Sequence, residues 1–125
     1  MPKKKILADN AKSAIEDFSQ ALKKAQLQLE EVLKEDDEIN YQIALGPLDV
    51  AVQDLMSKQG GLDVAIDKFR LYLKDYKKRK PIAAKFSSKF KKATLACEAA
   101  EAFKKNWQDE LIAFYEAVDD LKAGI

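Results

Sequence analysis

From Ile82 to Leu121 the chain runs without a glycine or proline and returns an apolar residue every third or fourth position. Ile82, Phe86, Phe90, Ala93, Cys97, Ala100, Phe103, Trp107, Leu111, Phe114, Val118 and Leu121 form one stripe, the pattern of a helix that buries a single face. Earlier in the chain, Ala8, Ala11, Ile15, Phe18, Leu22, Ala25, Leu29 and Val32 alternate three and four apart, a heptad seam. That seam predicts a first helix capped by Asp9 or Asn10 and stopped at Glu35-Asp36-Asp37-Glu38, because four carboxylates do not enter a core.

Tyr41, Leu45, Leu48, Val52 and Leu55 predict a second helix, kinked or restarted at Gly46-Pro47 and ended by Gly60-Gly61. Leu62, Ala65, Ile66, Phe69, Tyr72, Leu73 and Tyr76 predict a third, which closes on Lys77-Lys78-Arg79-Lys80 before Pro81. The expected helices are therefore about 9–34, 37–58 with a break near 46–47, 62–80 and 82–122, in one domain. The fold class they imply is all-α, an antiparallel four-helix bundle running up-down-up-down with a long C-terminal helix. That last helix is about twice the length of the third, so it either overhangs the bundle or bends, with Ser87-Ser88 as the favoured place.

Composition sharpens this picture mainly by exclusion. The 125 residues contain four glycines and three prolines, too few for the turns of an all-β fold. No histidine is present, which removes Ser-His-Asp and Cys-His catalysis, histidine-ligated haem and most zinc sites. The single cysteine, Cys97, has no partner for an internal disulfide and lies among alanines on the long stripe, where it reads as a small core residue. Glu98 and Glu101 share a helix face, and with Lys104 and Lys105 one turn on they read as a salt-bridged surface rather than a catalytic pair. Asp36, Asp37 and Glu38 lack the glycine and spacing of a calcium loop. No cofactor, metal or catalytic residue is expected, and no enzymatic activity. No apolar run is long enough to span a membrane or follow the basic start as a signal peptide, so the default expectation is a cytoplasmic protein; a processed mature chain would look the same.

Charge is more informative than any motif. The net formal charge is +1, yet Lys74 to Lys92 holds nine bases against Asp75, Glu30 to Glu38 six acids against Lys34, and Glu98 to Asp120 seven acids against two lysines. In a bundle of four alternating helices the acidic turn at 35–38 and the basic turn at 77–80 would share one end. The expected function is a non-catalytic protein–protein interaction module, such as an adaptor, an immunity-type inhibitor or an accessory subunit of an assembly. It would contact its partner through Lys77, Lys78, Arg79, Lys80, Lys85 and Lys89. Nucleic-acid binding through the same 74–92 patch is the rival, since Tyr72, Tyr76, Phe86 and Phe90 interleave with the bases, although these aromatics fall on the expected core stripe. An anionic membrane surface ranks lower because no exposed apolar face is expected beside the bases. A second copy of the chain is a further candidate partner through the long C-terminal helix, with Trp107, Phe114 and Tyr115 as its anchors.

Two short stretches resemble the four-helix extrinsic photosystem II subunit known as PsbQ. Gly46-Pro47-Leu48 follows Ile43 and opens a segment ending Asp54-Leu55-Met56, and Tyr115-Glu116-Ala117-Val118 stands near the C-terminus. The resemblance implies docking onto a large membrane complex through charged surfaces, without catalysis, and assigns no site residue.

Overall fold

The computed structural model describes residues 3–124 and is all-α: among them are four helices and no strand. They are α1 (Lys3–Leu33), α2 (Glu38–Arg79), α3 (Pro81–Phe86) and α4 (Ser88–Lys122). Three are long and one is a single short segment, which differs from the expected division at about 9–34, 37–58, 62–80 and 82–122.

The second and third expected helices are one. α2 continues for 42 residues through both Gly46-Pro47 and Gly60-Gly61, about 63 Å at the usual rise. Glycine in a helix interior costs roughly 1 kcal/mol relative to alanine and an interior proline about 3 kcal/mol. Against this stand Leu48, Leu55, Leu62 and Phe69, seven residues apart and all essentially inaccessible to water. Burying each such side chain contributes on the order of 1.5–3 kcal/mol, so keeping the seam in register outweighs the local preference to stop. Gly46, Pro47, Gly60 and Gly61 are all exposed, and the Ile43 carbonyl, which loses its donor because Pro47 has no N–H, can turn to water.

α1 starts at Lys3, well before the expected cap at Asp9 or Asn10, because Leu7 and Ala8 also pack against the core. Its seam behaves as the heptad pattern predicts: Ala11, Phe18, Leu22, Ala25 and Val32 are buried, with Ala21 beside them. It ends at Leu33, and residues 34–37 lead into α2.

The long C-terminal stripe breaks where a bend was expected. Ser87 has extended backbone (φ −77°, ψ 120°), and its hydroxyl accepts the amide of Phe90 at 3.1 Å, capping α4. Beyond the break the stripe is buried or half-buried from Phe90 to Leu121. Before it, α3 turns Ala84 inward and leaves Ile82 and Phe86 outside, so these two do not belong to the core as the periodicity predicted.

Contacts fix the relative directions of the three long helices. Tyr76 stacks on Phe90 with ring centroids 5.1 Å apart, the Tyr115 hydroxyl donates to Gln59 Oε1 at 3.1 Å, and Lys122 pairs with Asp49 at 2.6 Å, so α2 and α4 run in opposite senses. Phe18 meets Phe103 edge-on at 6.1 Å and Gln26 Nε2 donates to Glu110 at 2.7 Å, so α1 and α4 run the same way. Two core clusters follow one another along the axis, one around Phe18, Leu22, Leu55 and Phe114, the other around Phe69, Leu73, Phe90 and Cys97.

Candidate docking surface

Because α2 is continuous, the acidic turn at 35–38 and the basic turn at 77–80 lie at opposite ends of it, not side by side as an alternating four-helix path would have them. The rest of the chain reinforces the separation. Lys3 and Lys5 at the start of α1 and Lys85, Lys89, Lys91 and Lys92 of α3 and α4 gather at the end where α2 closes. Glu110, Glu116, Asp119 and Asp120 of α4 lie toward the end where α2 begins, since Tyr41 reaches the Leu121 carbonyl at 3.5 Å. The molecule is charged oppositely at its two poles.

At the basic pole the six expected contact residues come together on the end of α2, α3 and the start of α4, and all are exposed. Arg79 donates from Nε to Asp75 at 2.8 Å, so it is tied to the one acid of the stretch. Lys80 extends over the Tyr76 ring at 5.9 Å, and Lys85 over Phe86 at 5.8 Å. A shallow apolar recess opens beside them, walled by Lys77, Pro81, Ala84, Lys91, Thr94 and Leu95.

The residues that periodicity misassigned make this end distinctive. Ile82 is 76% exposed and Phe86 74% exposed, four apart on one face of α3. Exposed apolar surface does accompany the bases, contrary to expectation. The Ser87-Ser88 pair was the available signal: a break there uncouples Ile82 and Phe86 from the stripe that follows. Of the four aromatics expected to interleave with the bases, Tyr76 and Phe90 stack on each other in the core and Tyr72 is half-buried against the same cluster with Lys3 over its ring, which leaves Phe86 as the exposed ring.

The other candidate residues are absorbed by the fold. Cys97 is buried, its thiol 3.8 Å from Glu101 Oε1, and burial together with that carboxylate pushes its pKa up to about 11. Glu98 is exposed, and Lys104 bridges to Asp63 of α2 at 2.6 Å rather than to a neighbouring glutamate. Among the described residues no group of three acids or thiols is arranged to hold a metal ion. Trp107 packs on Phe103, Phe114 is buried, and Tyr115 is half-buried, with burial raising its phenol pKa. α4 therefore packs most of its apolar stripe against the rest of the chain, with Phe103, Trp107, Tyr115 and Leu121 half-buried. No helix among the described residues is long and apolar enough to cross a membrane.

Comparison with protein-family models, with curated proteins and with solved structures finds no match. The PsbQ-like stretches thus carry no family assignment, and Gly46-Pro47-Leu48 lies inside α2 instead of opening a helix.

Proposed function

We propose that this chain is a non-catalytic docking module, an adaptor, inhibitor or accessory subunit, that presents its basic pole to a protein partner. One observation carries the reading: Ile82 and Phe86 stand exposed among Lys77, Lys78, Arg79, Lys80, Lys85 and Lys89. An aromatic anchor ringed by cations is the composition of an interface centre with a polar rim, and it fits a partner with an apolar pocket bordered by carboxylates. Long-range attraction between such poles speeds encounter, and burial of the ring slows release. The nucleic-acid reading is weaker, since only one ring faces outward and stacking platforms use several. An anionic membrane is the reading that the same two apolar residues favour next.

The test is a photo-reactive residue in place of Phe86, cross-linked in the source cells and compared with the same group at Leu33 on the acidic pole. Recovery of one defined protein from position 86, abolished by reversing Lys77, Lys78, Arg79 and Lys80 to glutamate, supports the proposal. Cross-links to nucleic acid or lipid, or a yield unchanged by the reversal, overturn it.

A further inference from the structure

The outer face of α2 carries a second apolar row that stands exposed, with none of the described residues covering it. Ile43, Val50, Val64 and Leu71 are 67%, 69%, 52% and 59% exposed, and exposed Ser57 occupies the place between them. Each follows the inner seam by two positions (Val50 after Leu48, Val64 after Leu62, Leu71 after Phe69), about 200° round the helix. Inner and outer rows share a seven-residue period, so the supercoil that holds one straight against α1 and α4 holds the other straight as well. Gly46, Gly60 and Gly61 flank the outer row, and a Cβ added at any of them would meet nothing. Leu27 of α1, also exposed, lies beside Val50 across a shallow groove.

This row is symmetric about Ser57. Val50 and Val64 lie seven residues either side of it, and Ile43 and Leu71 fourteen. Beyond the row the symmetry continues in charge: Asp36, in the connection just before α2, precedes Ser57 by 21 residues, and Lys78, in its last turn, follows it by 21. Glu35 and Asp37 mirror Arg79 and Lys77 in the same way.

The geometry points to antiparallel self-association of this chain through α2, about a two-fold axis at Ser57. Each Ile43 then meets Leu71 of the second copy, each Val50 meets Val64, and each acidic turn at 35–37 meets a basic end at 77–79. The apolar row spans about 42 Å, the length of a substantial coiled-coil seam. Charge selects among the arrangements the apolar row alone would permit. A parallel pair sets Asp36 on Asp36 and Lys78 on Lys78, and a slip of one heptad sets an apolar residue against a charge. The apolar row is separate from Ile82 and Phe86, whereas Lys77, Lys78 and Arg79 belong to both surfaces, so the Val50 and Val64 substitutions, which leave the basic pole unchanged, test pairing apart from docking.

The experiment is sedimentation of the full chain over a range of concentration and salt, alongside variants at exposed positions whose helicity and melting are checked by circular dichroism. Val50→Glu with Val64→Glu is expected to give a folded monomer. Asp36→Lys or Lys78→Glu alone weakens association roughly tenfold, because the two-fold counts each lost pair twice, and the two together restore it. Ser57→Cys in a Cys97→Ala background forms a disulfide-linked dimer under mild oxidation. A monomer at every concentration, a dimer indifferent to the Val50 and Val64 substitutions, or no recovery in the charge-swapped double variant overturns the proposal.

Discussion

The ammonium of Lys104 lies 2.6 Å from Oδ1 of Asp63 and joins α4 to α2 across their interface. Lys122 and Asp49 repeat the arrangement at the same distance nearer the acidic pole. Both carboxylate oxygens are covered, and the lysine ammonium is the group that answers each. The side chains themselves are about half exposed, so the value of the pairs lies more in setting the offset of α4 along α2 than in raw stability.

A double-mutant cycle on Asp63→Asn and Lys104→Gln is expected to return a coupling of about 0.2–1 kcal/mol, smaller at high salt. Urea denaturation of the four proteins at two ionic strengths reads it. No measurable coupling at low salt would remove the pair as an element of the α2–α4 register.

Phe69 and Phe86 should behave as opposites. Phe69 is fully buried, so Phe69→Ala is expected to cost about 3–5 kcal/mol in denaturant midpoint analysis. Phe86→Ala touches an exposed ring and should stay within about 0.5 kcal/mol of the parent. A large loss from Phe86 would return α3 to the core.

Continuity of α2 has its own signature. Gly60 and Gly61 are helical and a Cβ at either meets nothing, so alanine at each is expected to raise stability by about 0.5–1 kcal/mol. Were the pair a turn with positive φ, the same substitutions would destabilise, so the sign of the change in unfolding free energy decides.

At Ser87 the hydroxyl caps α4. Removing it with Ser87→Ala should cost about 1 kcal/mol, and Ser87→Asp, which keeps an acceptor for the Phe90 amide, should recover most of that in thermal melts.

The Cys97 thiol gives a pH dependence. Its pKa rises from 9.0 to about 11 on folding, so the unfolded chain loses the proton first as pH increases. Its contribution is intact below about pH 9 and is lost as pH climbs through about 11. The parent should therefore lose more stability than Cys97→Ala between pH 8.5 and about 11, measured as the difference in melting temperature, and thiol labelling of the folded parent at about pH 8 should be slow.

Much of this molecule was legible in the order of its residues. The α1 seam, the break at Ser87, the end of α1 before the acidic turn and the core place of Cys97 all follow from spacing and local chemistry, because each depends on neighbours within one or two turns. Two readings failed for a common reason. Gly60-Gly61 reads as a stop when only local propensity is weighed, yet Leu55 and Leu62 on either side of it fall on one seam, and burial along the whole seam exceeds the cost of two glycines. Ile82 and Phe86 match the period of the long stripe, but once Ser87 breaks the helix that match no longer determines where they point.

Helical class, seam positions and the uneven distribution of charge were determined by the sequence itself, since periodicity and ionisation are properties of residues in order. Which charges share an end, and which apolar rows stay uncovered, were decided only by the tertiary structure. One helix spanning 38–79 sends its acidic and basic ends about 63 Å apart, where an alternating path through two helices would have joined them. It also has two faces: α1 and α4 bury the row through Leu48 and Leu62, and the row through Val50 and Val64 is left to water. Both rows carry the same seven-residue period, and only the packing of the other helices distinguishes them.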